Sequence, residues 1–342
     1  MIMIELDGNF EEGGGQIVRT ALGLSAFTRK PFKVTNIRQG RKEPGLKKQH
    51  LEAIKALKAL CNADVEGAEM GSNEITFDPG IYKGGKLEID IETAGSITLL
   101  LQSLIVPMTF LKNTSLKIKG GTDVQWSMPS DYFKHVFLPH LKKYVDYEFK
   151  ILKRGYYPKG NGLIEFSTRP NNKKDQLIFA EQGKLVSIKG VVNSSLSLQK
   201  RQVAERIASS AKLNLQKINS PVDIDVQYSD SLSDGTGIVL WSLHSIRDEI
   251  DSIIGADELG EIHVTAEDLG RNCAIKLIEE IKSGAAIDKH LTDNLIPFLG
   301  ILGGKIKVSE ITKHTLANIY VTEKFLDVKF IINNNEISVI KH

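Results

Sequence analysis

One recurring pattern constrains this chain more than any other feature: a strand, a glycine-bearing turn, a helix, a strand, a second helix and two more strands. The first copy reads as a strand at 2–6, a turn at Gly13-Gly14-Gly15, a helix at 16–27, a strand at 32–37, a helix at 46–60 and a hairpin near Ile75. Apolar residues fall at helical spacing in both helices, as Ile17, Ala21, Leu24 and as Leu51, Ile54, Leu57. A second copy follows, with strands at 87–91 and 115–119, helices at 96–111 and 129–144, and closing strands at 147–152 and 163–167. The third is split. Its first strand lies near 177–180, but the matching helix at 289–302 comes about a hundred residues later, before a strand at 305–309, a helix at 314–326 and strands at 328–332 and 337–340.

The intervening segment has strands of its own at 185–191, 222–228 and 237–242 and a helix at 198–211, so it reads as an inserted α+β domain. Helices covering sheets in this way predict an α/β, or α+β layered, fold. The expected organisation is a three-repeat body over 1–183 and 277–342 and an inserted domain over 184–276.

Four clusters carry chemistry. Asp7-Gly8-Asn9-Phe10-Glu11-Glu12-Gly13-Gly14-Gly15-Gln16 joins a strand to a helix; its glycines admit a phosphate to the helix N-terminus, and Glu12 is placed to hold a divalent cation. A plain tight turn explains the same glycines. The stretch from Asn36 to His50 gathers Arg38, Arg41, Lys42, Lys47 and Lys48 beside Gln49 and His50, which suits a polyanion and equally a solvated loop. Thr93-Ala94-Gly95-Ser96 is the equivalent turn of the second repeat, and Gln102 in its apolar helix needs a polar partner, either a nucleotide or neighbouring backbone. Finally, His314 opens the last helix, where the positive end of the helix dipole disfavours imidazolium and leaves a neutral nitrogen that can act as a nucleophile, although a surface or capping role is the commoner reading of a single histidine.

Other chemistries are excluded. His135, His140, His244, His263 and His342 form no metal set, and neither HExxH nor a G-x-S-x-G elbow occurs. Cys61 and Cys273 are isolated, which argues against a disulfide or cysteine zinc framework. No apolar run reaches roughly eighteen residues and no secretory leader is evident, so the expected location is the cytoplasm, away from membranes. With 44 Lys and Arg against 42 Asp and Glu, any RNA contact must come from a local patch.

Taken together, Glu12 to Arg19, Arg38-Gln39-Gly40-Arg41 with Pro44-Gly45-Leu46 and Gln49-His50, and Gly95-Ser96 with Gln102 resemble the RNA 3′-terminal phosphate cyclase family. Gly120-Gly121-Thr122-Asp123, Arg154 to Gly162 and Ala266 to Gly270 extend the resemblance to nearly the whole chain. It implies three repeats like the C-terminal domain of translation initiation factor three, with a smaller insert. It also implies ATP as cosubstrate, Mg²⁺ or Mn²⁺ as cation, and RNA with a 3′-terminal phosphate as partner.

By motif position His314 corresponds to the family's nucleophile, attacking the α-phosphate of ATP, and Glu12 to the cation ligand. Gln102, Pro129 and His290-Leu291-Thr292-Asp293-Asn294 would meet adenylate; Gln16, Arg19, Arg38, Arg41, Gln49 and His50 would hold phosphates of ATP or the RNA end. His290 stands where many members carry an aromatic residue and Asn294 where they carry Gln, departures that bear on ATP against GTP. Three rivals remain: a non-catalytic cyclase-like RNA-binding protein of ribosome assembly, an enolpyruvyl transferase-like enzyme with the same repeat, and a simple RNA-binding module. Oligomeric state is left open.

Overall fold

The computed structural model describes residues 2–246 and 249–342. Its first sheet is built from β1 (Ile4–Asp7), β2 (Phe32–Thr35), β3 (Asp64–Glu66) and β4 (Ile75–Asp78), with α1 (Gln16–Thr28) and α2 (Lys48–Cys61) between the early strands. The second uses β5 (Gly85–Asp90), α3 (Ile97–Phe110), β6 (Thr114–Gly120), then the short α4 (Ser130–Tyr132), a π-helical turn (Phe133–Phe137) and α5 (Leu138–Leu141), then β7 (Val145–Lys153) and β8 (Gly162–Pro170). Next comes β9 (Leu177–Phe179), which leads into an intervening unit of β10 (Lys184–Ser195), α6 (Val203–Leu215), β11 (Val222–Ser229), β12 (Thr236–Ser245), β13 (Ile250–Leu259) and α7 (Ala266–Lys282). The chain closes with α8 (Lys289–Leu302), β14 (Gly304–Lys307), α9 (Lys313–Phe325), β15 (Val328–Asn333) and β16 (Glu336–Lys341).

Strand order confirms that the third sheet is closed across the intervening unit, because Leu177 of β9 pairs in parallel with Gly304 of β14. The orders β1-β2-β4-β3, β5-β6-β8-β7 and β9-β14-β16-β15 are the same, each with one parallel pair followed by antiparallel pairs. The intervening sheet runs β11-β10-β12-β13, a different order. Two apolar cores match this division: a large one from all three sheets, and a second drawing on residues between Ile188 and Leu277.

The apolar stretch after Ser96 is the central helix. Ile97, Leu100, Leu101, Leu104 and Met108 of α3 are shut off from solvent, and α3 packs on α1, α2 and α8. Each such side chain contributes about 1.5–3 kcal/mol by leaving water. Ser96 starts the helix by accepting a hydrogen bond from the Leu99 N–H at 3.2 Å. Both cysteines are buried and unpaired.

Three expectations need correction. A single helix over 129–144 is instead three pieces: Pro139 has no N–H and crowds the carbonyl four residues back, so it is accommodated in the first turn of α5, after a π turn closed by the Leu138 N–H on the Phe133 carbonyl. The helix expected at 198–211 is displaced, because Leu196–Arg201 is 3₁₀ and Gln202 breaks the run at φ +50°. Strand β13 and helix α7 were not anticipated as elements. Yet α7 has a legible start in Thr265, which accepts from the Asp268 N–H, followed by two acidic residues in the first turn.

Candidate active site

Loops after the leading strands of the three sheets, together with the segment between α7 and α8, are linked by contacts at the carboxyl ends of those strands, where open α/β sheets place ligands. The loop after β1 carries Glu12 and the glycines, that after β2 carries Arg38 and Arg41, and those after β5 and β6 carry Gly95 and Met128. The segment before α8 follows α7, and the loop before α9 follows β14. Ser96 N–H donates to Gln49 Oε1 at 3.1 Å, Thr98 Oγ1 donates to the Met128 carbonyl at 2.6 Å, and Ile287 bridges Val308.

His314 stands in the first turn of α9, whose N-cap is Thr312, accepting from the Thr315 N–H at 3.2 Å. The helix is tied to α1, for Gln16 Nε2 donates to the His314 carbonyl at 2.5 Å and Thr20 Oγ1 to Asn318 Oδ1 at 2.8 Å. Asn318 in turn donates to the Asp293 carbonyl at 2.7 Å, fixing α8 to α9. Nε2 of the imidazole lies 2.9 Å from Glu12 Oε2, and the same oxygen accepts from Arg41 Nη2 at 3.2 Å. Glu12, His290, Asp293, Thr312 and His314 line one cleft of about 440 Å³, within the range of small-molecule sites.

Burial pulls the His314 imidazole below its ordinary pKa; Glu12 opposes this, and Arg19, Arg41 and His290 add to it. A lowered pKa means the ring is neutral at pH 7 and gains its proton only in more acidic solution. In the nucleotide- and cation-free protein, the His314 imidazole followed by NMR should therefore titrate with a midpoint below 6.5, and Glu12→Gln should move it lower still. A midpoint above 6.5 would refute this account of the site.

Around the start of α1, four side chains converge on two glycines. A Cβ on Gly14 would stand 3.5 Å from Arg41 Nη2 and 3.8 Å from His314 Cε1; one on Gly15 would stand 2.4 Å from His50 Nε2 and 3.1 Å from Arg19 Nη1. The helix has no side-chain cap, so its first N–H groups face this space. His50 is buried, and its Nδ1 accepts the Lys47 N–H at 3.0 Å, which places the ring proton on Nε2. That N–H has no partner among the described residues. Burial and the charges of Arg19, Arg38 and Lys47 hold His50 well below its ordinary pKa. A buried donor beside two arginines and a helix N-terminus is a cradle for an anion.

Of the other residues singled out from the sequence, Asp293 lines the cleft and the rest brace the site through bonds or packing. Gln102 is held between Arg19, which donates to its Oε1 at 2.8 Å, and Asn294, which accepts from its Nε2 at 2.7 Å. Its partners are thus other side chains, not neighbouring backbone. Leu291 and Thr292 are wholly buried, and Pro129 caps α4. Arg38 spends Nη1 on the carbonyls of Glu43 and Gly45, both at 2.9 Å, bracing its own loop. Asp293 is pushed up to about 7 by desolvation, against the pull of Arg19. Two positioning features escaped the sequence reading: Asp288, which caps α8, and a buried ion cluster in which Arg154 meets Asp131 at 2.6 Å and Asp123 at 3.4 Å.

Among the described residues no three His, Cys, Asp or Glu side chains form a metal cluster. Glu12 alone suits an ion that takes most of its ligands as phosphate oxygens and water, as Mg²⁺ does. No helix among them is long and apolar enough to cross a membrane.

The cleft walled by His314 and Glu12 adjoins the arginine-lined pocket at Gly14 and Gly15, a setting chemically suited to phosphate groups. Sequence comparison gives the family. A model of the family described as RNA 3′-terminal phosphate cyclase matches residues 10–332. The RNA 3′-terminal phosphate cyclase of Pyrococcus furiosus is 46% identical over 331 residues, 96% of this chain and 94% of that protein. Those of Saccharolobus solfataricus and Methanopyrus kandleri are 43% and 40% identical, covering 97% and 98% of this chain and 96% and 97% of theirs. The chain belongs to the RNA 3′-terminal phosphate cyclase family.

Proposed function

We propose that this protein uses ATP to convert an RNA 3′-terminal phosphate into a 2′,3′-cyclic phosphodiester through a histidine-linked AMP. The observation that carries the reading is the convergence of His314, Arg41, His50 and Arg19 on Gly14 and Gly15, beside a cleft of nucleotide size. In the first step a ring nitrogen of His314 bonds to the α-phosphorus as the bond to pyrophosphate breaks. A divalent cation on Glu12 would neutralise triphosphate charge, and Arg41, released from Glu12, would pair with phosphate oxygens. The RNA 3′-phosphate, held by the α1 N-terminus, His50 and Arg19, then takes AMP from His314, restoring the neutral ring. Attack by the adjacent 2′-OH closes the ring phosphate and expels AMP.

On this reading the three matched sheets are repeats like the C-terminal domain of translation initiation factor three, and 184–276 is an inserted domain. Placement in the cytoplasm and contact of adenylate with His290 and Asp293, which line the cleft on α8, belong to the same proposal. The non-catalytic alternative is disfavoured by the presence of His314 and by relatives named as cyclases.

The test is incubation with α-labelled ATP and Mg²⁺ or Mn²⁺. Acid-labile, base-stable label should appear on the protein and pass to RNA ending in a 3′-phosphate, giving a cyclic end and AMP. RNA with a 2′-deoxy terminus should stall as the adenylated strand, because it lacks the attacking hydroxyl. Binding of RNA without any protein label would replace the enzyme by a cyclase-like scaffold.

A further inference from the structure

Two exposed rings have no role in the chemistry above: Trp126, in the loop after β6, and Tyr157, in the loop between β7 and β8. Trp126 is 95% exposed and adopts φ +58°, a left-handed backbone that bulky residues rarely take. Tyr157 is 76% exposed. Neither ring stacks on another aromatic side chain among the described residues, whereas the chain's other tryptophan, Trp241, is buried against His135.

These rings project from rigid backbone. The two loops are joined by the Thr122 N–H on the Gly155 carbonyl at 2.9 Å and by a bridge between Asp123 and Tyr156. Beneath them Tyr156, next to the exposed Tyr157, is buried and donates to Asn193 Oδ1 at 2.7 Å, while Arg154 sits in its carboxylate cluster. Lys159 N–H donates to Ser233 Oγ at 3.1 Å. A solvent-exposed pair of large rings on a fixed frame loses little entropy when something stacks on it.

Position identifies the occupant. Gly121 N–H donates to the Gly95 carbonyl at 2.8 Å, Ser96 N–H donates to Gln49 Oε1, and the next residue, His50, turns its free N–H into the anion cradle. The loop after β6 is therefore continuous with the place where the proposed RNA end would lie, and it shares the same end of the sheets. Lys48 pairs with Glu92 and Lys119 with Asp90, while Lys159, two residues from Tyr157, is exposed and in no ion pair among the described residues. Flat rings with a cation beside them suit the bases and backbone of unpaired nucleotides.

We propose that Trp126 and Tyr157 form a stacking platform for the unpaired nucleotides that precede the 3′-phosphate, an inference that rests on the cyclase reading. Base stacking on an aromatic side chain is worth roughly five- to hundredfold in affinity per base. The test compares a dinucleotide and a single-stranded decanucleotide, both ending in a 3′-phosphate, on wild type, Trp126→Ala and Tyr157→Ala. The ratio of KM for the long to KM for the short substrate should rise about tenfold in each variant, with Trp126→Phe and Tyr157→Phe largely retaining the wild-type ratio. In parallel, the decanucleotide should quench the wild-type tryptophan emission, and that quench should vanish in Trp126→Ala.

Equal ratios in wild type and both alanine variants, with no quench, would overturn the platform. Uptake of label from ATP by wild type is scored separately. Its absence would sink the cyclase reading, while the quench would still report whether single-stranded RNA stacks on Trp126. As exposed surface positions, both alanine variants should melt close to wild type, which separates lost stacking from lost folding.

Discussion

His314→Ala is expected to take up no label from α-labelled ATP and to cyclise RNA 3′-phosphate at least about ten-thousandfold more slowly than wild type, because losing a nucleophile removes the covalent route itself. The substitution is mild for the fold. The His314 side chain is 42% exposed, and its ring's polar contact is with the partly exposed Glu12, while the α9 cap and the bond from Gln16 use Thr312 and the His314 backbone. A change of that kind should alter stability by less than about 1 kcal/mol. The three-step scheme makes a sharper prediction. Adenylated RNA, prepared chemically and supplied to His314→Ala, should still close to the cyclic phosphate, since the 2′-OH attack does not use the imidazole. Label on the variant, or no difference between the two proteins in the ATP-dependent reaction, would remove His314 from the mechanism.

Most of the frame was readable because its signals are local. Helix α8 matches its expected span, 289–302, and the structure adds that Asp288 caps its start and Gly303 closes its end. Element order set the strand near 177–180 beside the strand at 305–309 across the intervening segment, and β9 does pair with β14 in one sheet. What was misread depends on geometry that a periodicity count does not contain. Pro139 was absorbed by a π turn, and Gln202 took a left-handed conformation that no glycine announced. In the site, Arg19, Gln102 and Asn294 each carry a separate signal, but the chain of hydrogen bonds through them joins α1, α3 and α8 and has no sequence signature. The orphan N–H of His50 is visible only once the Lys47 amide is seen to occupy Nδ1. Leu291 and Thr292, carried over with their neighbours, face the interior because α8 is amphipathic and its cleft side passes through His290, Asp293 and Asn294.

Asp288 was overlooked for the same reason, and its replacement should have the largest effect on the folded state. The side chain is fully buried, and four donors point at it. Oδ1 accepts from Tyr132 Oη at 2.5 Å, from His290 N–H at 3.0 Å and from Leu291 N–H at 2.9 Å, while Oδ2 accepts from Gly255 N–H at 2.9 Å. One carboxyl group thus caps α8, holds α4 and anchors β13 of the intervening unit. The close fit needs a glycine at 255, where a Cβ would come 2.6 Å from Tyr132 Cε2. Losing the cap alone costs about 1 kcal/mol, and each buried donor left without an acceptor costs about 1–3 kcal/mol before relaxation.

These terms overlap, so Asp288→Ala should destabilise the protein by roughly 3–5 kcal/mol, lowering the melting temperature by about 4–7 °C. Tyr132→Phe, which removes one donor and leaves the carboxyl its other three, should cost only about 1 kcal/mol. The functional consequence should be selective. His290, Asp293 and Asn294 ride on the first turns of α8 whereas His50 and Arg19 do not, so at a temperature where the variant remains folded, KM for ATP should rise well before KM for the RNA 3′-phosphate. A melting temperature within about 2 °C of wild type, or equal rises in both KM values, would mean that Asp288 does not hold the nucleotide side of the site in place.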